Sequence, residues 1–196
     1  ETYRALVTPP DVKFRRSRWG IPQKDIEAAQ LLALELCNHY LSLENVLGDR
    51  LEWKNPFSVS ECKKLLRRTK NEQDRATALE EIAEELRKRW NLGGGPIPSL
   101  SSLLEQKGIL VCEVPFNNNR IDGFSFFYEG RPFICVADWL NRNPVRKRMT
   151  LAHELGHILF PDMDKDEPSD KEYCIMRFAG AVLIPRPAVI DALGSS

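Results

Sequence analysis

The chain has 196 residues, 42% hydrophobic and 29% charged, ordinary globular values that exclude a disordered or fibrous class and allow one large domain or two small ones. Lys plus Arg and Asp plus Glu each total 28, which excludes a chain-wide electrostatic footprint for nucleic acid. No run of about 18 apolar residues occurs and the first 30 residues carry no apolar leader segment, so the expectation is a cytoplasmic protein with no membrane partner.

Residues 1 to 21 mix Pro9, Pro10 and Gly20 with Arg15, Arg16 and Arg18 and follow neither a helical nor a strand period, as an arm or linker does. From Gln23 to Leu47 the positions Ile26, Leu31, Leu34, Leu41 and Val46 recur at helical spacing, with Gly48 placed to close the helix. Further helices are predicted over Val59 to Thr69 and over Asp74 to Trp90, the latter with Ala78, Ile82 and Leu86 on one face. Gly93-Gly94-Gly95-Pro96 then breaks the pattern and marks the best boundary, giving a helical region 1–92 and a second region 93–196.

Past that boundary a short helix is expected from Ser99 to Lys107, ended by Gly108. Ile109 to Val114, Ile121 to Tyr128 and Phe133 to Val136 are apolar, aromatic and β-branched, with Glu129-Gly130 at a hairpin turn. They predict a small antiparallel three-stranded sheet. Helices over Pro144 to Leu159, over Asp170 to Leu183 and after Pro187 complete an α+β fold in which the sheet packs with the helices that follow it. The five cysteines, Cys37, Cys62, Cys112, Cys135 and Cys174, are scattered without a C-x-x-C pair and fit reduced thiols filling small apolar positions. The chain starts at Glu1 and ends Gly194-Ser195-Ser196, which reads as a piece of something longer.

The chemistry concentrates in His153-Glu154-Leu155-Gly156-His157. Asn143 can cap this helix and Pro144 suits its first turn, so the motif falls about two turns in. Residues four apart share a face, so both imidazoles can address one Zn²⁺. Glu154, one position round, can instead reach a water on that ion and act as general base. Gly156 removes a side chain near the metal face, and Leu151, Leu155 and Leu159 form the opposed apolar ridge. Chance H-E-x-x-H matches occur on the order of once in several hundred chains of this length. Here two of the three histidines in the chain fall into one.

A catalytic zinc needs a third protein ligand. Asp162, Asp164, Asp166, Glu167, Asp170 and Glu172 are all near in sequence, and helical phase favours Glu172, on a face with Met176, Ala179 and Leu183. The same Glu172 completes an S-x-x-E capping box with Ser169, and Cys174 competes as a thiolate, so spacing leaves the choice open. His39 has no ligand partner at helical spacing. Arg146, Lys147 and Arg148, like the earlier arginines, match a solvated basic face better than a binding patch.

The motif is preceded by Arg148-Met149-Thr150-Leu151-Ala152 and followed by the stretch from Glu172-Tyr173-Cys174 through Phe178-Ala179-Gly180 to Ile184-Pro185. With Gly95-Pro96-Ile97, Gly108-Ile109-Leu110-Val111 and Asp122-Gly123-Phe124-Ser125 upstream, the second half of the chain resembles the ImmA/IrrE metallopeptidase family. The resemblance implies zinc held by His153, His157 and Glu172, with Glu154 as the base. It implies a protein substrate, a transcriptional repressor whose cleavage releases stress-response or mobile-element genes. It also implies the type fused behind an N-terminal helix-turn-helix, so that DNA is met only through a domain this chain does not carry. A non-hydrolytic zinc-containing sensor module of a transcriptional regulator is the alternative. Pro161, and Ile175-Met176, depart from residues common in the family at those places.

Overall fold

The computed structural model describes residues 22–48, 50–58, 61, 72–160 and 168–194. The helix expected over 59–69 lies outside these, apart from its entry. There Ser58 N donates to the Glu61 carboxylate at 2.7 Å and Glu61 N donates to Ser58 Oγ at 3.2 Å, the reciprocal bonds of a capping box. The described helices are α1 (Gln23–Leu47), α2 (Glu72–Arg89), α3 (Leu100–Gln106), α4 (Pro144–Leu159), α5 (Pro168–Leu183) and α6 (Arg186–Leu193). The strands are β1 (Leu110–Val114), β2 (Gly123–Tyr128) and β3 (Arg131–Ala137), and the class is α+β with a helical N-terminal part. No single described helix is long and apolar enough to cross a membrane.

The chain forms two compact units, Glu1–Trp53 with Ser101–Lys147, and Lys54–Leu100 with Arg148–Ser196. Each draws on both sides of the Gly93–Gly95 turn.

In the first unit the sheet is mixed, not the antiparallel meander expected. Its order is β1-β3-β2, with β1 parallel and β2 antiparallel to β3. The physical reason is burial: every residue of β3 is buried, and a continuous apolar run belongs in the centre of a sheet, whereas β1 and β2 have half-exposed positions that suit edges. The β2–β3 hairpin forms where predicted, and Glu129 and Gly130 both have positive φ (48° and 75°), the signature of a tight primed turn. Phe116, Phe124, Phe126 and Phe133 form a chain of ring contacts at 5.6 to 6.0 Å.

Helix α1 closes on Gly48, whose left-handed φ of 69° lets its N–H reach Glu44 O at 2.9 Å. Its buried face differs from the apolar positions read from sequence. Ala29, Ala33, Leu34, Cys37, Leu41 and Glu44 are buried, whereas Leu31 and Val46 are exposed. Small side chains let α1 lie close, and Glu44 is tolerated because Arg131 of β3 meets it with two bonds, at 2.8 and 3.2 Å. Gly108 ends α3 as expected, and its φ of 82° is needed. A Cβ there would stand 2.9 Å from the Trp53 backbone nitrogen.

In the second unit Ala78, Ile82 and Leu86 of α2 are buried, as their spacing predicts, each large one stabilising the core by about 1.5–3 kcal/mol. Arg87 is also buried. It donates to Val182 O at 2.7 Å, satisfying a carbonyl in the last turn of α5, and to the carbonyls of Gly93 and Gly95. The buried Arg87 of this highly charged helix thus serves as a clamp on the glycine turn. Phe57 stacks on Phe160 at 6.3 Å between centroids, and Phe160 meets Phe178 edge to face at 5.1 Å.

Candidate metal centre

Helix α4 begins where its sequence says. Asn143 Oδ1 accepts the Arg146 N–H at 3.1 Å, a side-chain cap on an orphan donor. The three basic residues of the first turns are engaged within their own units. Arg146 makes a forked pair with the buried Asp122 at 2.8 to 3.1 Å and lies over Trp139, Lys147 binds Glu113 at 2.5 Å, and Arg148 donates to the carbonyls of Ile97 and Pro98. The Lys147 ammonium holds the Glu113 carboxyl below its usual range, helped by Asn141. These side chains therefore anchor α4 and its surroundings. Arg15, Arg16 and Arg18 lie outside the described residues.

Two turns on, the helix becomes apolar on all but one edge. Leu151, Ala152, Leu155, Ile158 and Leu159 are buried, and Asn55 Nδ2 donates to the terminal Leu159 carbonyl at 3.3 Å. Gly156 does not face the histidines, as expected from sequence. It faces α5, where a Cβ would stand 2.8 Å from Ile175 Cγ2 and 3.3 Å from Phe178 Cδ1. Its role is to let the two helices cross closely, which fixes where α5 carries its side chains.

His153 and His157, one turn apart, bring their Nε2 atoms to 3.1 Å with the rings nearly perpendicular. Glu172 of α5 closes the triangle. Its Oε2 lies 3.2 Å from His153 Nε2 and its Oε1 lies 3.4 Å from His157 Nε2. Around a tetrahedral ion with bonds of about 2.0–2.1 Å, donor atoms stand roughly 3.3 Å apart, so these separations suit a common ion. Glu154, nearly fully buried, places a carboxylate oxygen within 4.8 Å of both imidazole nitrogens, and His153, Glu154 and His157 form a group able to hold a metal. His157 is buried and His153 nearly so, while the Glu172 side chain is half-exposed, leaving the solvent approach on that side. His153 Nδ1 is buried without a hydrogen-bond partner among the described groups, while Nε2 is the atom that faces His157 and Glu172.

Of the alternatives left open by spacing, Cys174 is buried on α5 and is not part of the His153 group, and residues 161–167 with their aspartates lie outside the described residues. Met176, expected on the inward face with Glu172, is half-exposed, and Ile175 and Phe178 take the inward positions instead. His39 is exposed on α1. The sequence reading missed Arg87 and Asn55, which hold carbonyls at the ends of the two site helices. Arg87 lies in the charged run Arg87-Lys88-Arg89, so no local signal set it apart from its neighbours.

Residues 104–195 match the family model Peptidase_M78, the IrrE N-terminal-like domain. No curated protein and no solved structure matches the chain. The matched segment, just under half of the chain, contains the whole histidine motif, Glu172 and all three strands, and it is similar to a metallopeptidase-like domain of that family.

Proposed function

We propose that the chain is a zinc-dependent metalloendopeptidase acting on a protein substrate, a DNA-binding transcriptional repressor or a similar regulator. The observation that carries this reading is the convergence of His153 Nε2, His157 Nε2 and the Glu172 carboxylate at 3.1 to 3.4 Å, with the buried Glu154 beside them. His153, His157 and Glu172 are assigned as the metal ligands and Glu154 as the general base. Three protein donors leave one position of a tetrahedral shell open, the arrangement of a catalytic rather than a structural site. Zinc bound there supplies Lewis acidity toward a peptide carbonyl and a water. Glu154 would serve as the general base, taking a proton from the attacking water and returning it to the leaving amine. Its burial keeps the carboxylate in place and would strengthen its interaction with a cation held by the neighbouring ligands.

The setting that goes with this activity is the cytoplasm, with DNA contacted through a separate helix-turn-helix domain. The test is cleavage of a co-expressed DNA-binding repressor, followed by intact mass, alongside metal analysis of the purified chain. Glu154→Gln should lower cleavage by about 10²–10⁴-fold with metal content unchanged, while His153→Ala should remove both metal and activity. Equal cleavage by wild type and Glu154→Gln overturns the mechanism.

A further inference from the structure

A second convergence of ligand-type side chains lies in the first unit. Cys37 comes from α1, Cys112 from β1 and Cys135 from β3, and their Sγ atoms all lie within 4.8 Å of one another. Cys112 and Cys135 are direct partners in the parallel β1–β3 register, so their side chains leave the same face of the sheet. Cys37 sits on the buried stripe of α1 with Ala33 and Leu41, and the thiols of Cys37 and Cys135 are fully buried. Small apolar packing explains one buried cysteine at a time. It gives no reason for three of them, from distant parts of the chain, to meet at a point.

We propose that Cys37, Cys112 and Cys135 form a second metal centre, selective for a soft, thiophilic d¹⁰ cation such as Zn²⁺ or Cu⁺. Thiolate donors select such ions over hard ones. Three sulfurs around an ion with bonds of about 2.3 Å stand roughly 3.8–4.0 Å apart, so the present spacing needs only a small contraction. Metal binding would replace thiol protons by the cation, releasing them to solvent, and the bonds would tie α1 to β1 and β3. Cys112 is the half-exposed member and marks the entry. A three-sulfur set is complete for Cu⁺, whereas Zn²⁺ would take a further ligand from solvent at the Cys112 side.

This centre is independent of the histidine site, and its test reads thiols directly. The whole chain, reduced and stripped of metal under anaerobic conditions, is titrated with Cd²⁺ as the probe. Expected is a thiolate-to-metal charge-transfer band saturating at one equivalent, with loss of alkylation at Cys37, Cys112 and Cys135 together, located by peptide mapping. Cys112→Ser, its fold checked by circular dichroism, should abolish the band, and Cys174→Ser should retain it. Displacement of cadmium by Zn²⁺ or by Cu⁺ then identifies the resident ion. The proposal is overturned by absence of the band in fully reduced protein, by a band that survives Cys112→Ser, or by protection that does not cover the three cysteines together. Peptide mapping needs no variant, so it decides the matter even if the serine substitution fails to fold.

Discussion

Among the described residues stand two tight groups of ligand-type side chains, and they are built in opposite ways. His153 and His157 are four residues apart on one helix, and the third partner, Glu172, comes from the helix that Gly156 admits to close contact. Cys37, Cys112 and Cys135 come from a helix and two strands and are neighbours only because β3 inserts beside β1 and α1 covers both. In the first group helix geometry supplies most of the convergence, whatever the rest of the chain does. In the second, tertiary packing supplies all of it. The helix-pair group is accordingly a motif, and the thiol group is an address with no local signature.

This contrast can be broken by attacking the packing that supports each group. The largest effect is expected at Glu44→Ala. It strands the Arg131 guanidinium in the interior and should destabilise the first unit by about 3–5 kcal/mol, whereas the double change Glu44→Leu with Arg131→Met should restore most of it. Denaturant unfolding of the three proteins checks this, and a cost near zero for Glu44→Ala would remove the ion pair from the account of how α1 is held over the cysteines. A smaller loss is expected for Gly156→Val. Its side chain meets Ile175 Cγ2 where even a Cβ stands 2.8 Å away, so the cost should be about 1–3 kcal/mol, with weaker metal retention because Glu172 is displaced along with α5. Gly156→Ala should cost less, since helix propensity returns about 1 kcal/mol. A Gly156→Val protein as stable as wild type would show that the helices do not need that close crossing.

The smallest effect concerns the exposed Glu61. Hydrogen bonds from the Ser58 backbone, then from Arg89 and the Ser58 hydroxyl, lower its carboxyl from 4.5 to about 2. A carboxyl depressed in the folded state stabilises above its unfolded value and loses that contribution as pH falls through the folded one. Thermal unfolding of wild type and Glu61→Gln should therefore differ most above pH 4.5 and converge as pH falls toward about 2. A difference independent of pH over that window would refute the capping-box assignment.

Several elements were legible in the sequence for physical reasons. Strong periodicity and chain punctuation place α1, α2 and α4 to within a residue or two, and Glu129-Gly130 forms the turn that only positive φ allows. Other readings failed where the relevant information is not local. Of the apolar positions that helical spacing picks out on α1, Leu34 and Leu41 are buried but Leu31 and Val46 are exposed, because large apolar residues dominate a periodicity count while the small Ala29, Ala33 and Cys37 permit close approach. The sheet was expected to be a meander because sequential strands usually pair. Neither edge-strand character nor the fully buried run of β3 is weighed in that expectation. Glu172 could not be separated from a capping role by spacing, since the carboxylate's direction depends on how α5 crosses α4.

By itself the sequence determined the local parts of this protein: the helices among the described residues, the hairpin turn, the His153–His157 face with Glu154 beside it, and the similarity of residues 104–195 to a metallopeptidase-like family. Those follow from backbone periods and from side chains a few residues apart. The tertiary structure alone decided which strand is central, which face of α1 is buried, where the Glu172 carboxylate points and that three scattered cysteines meet. Each of these depends on contacts between segments distant in the chain, whose geometry is set by packing density and burial rather than by any repeat that one segment can display.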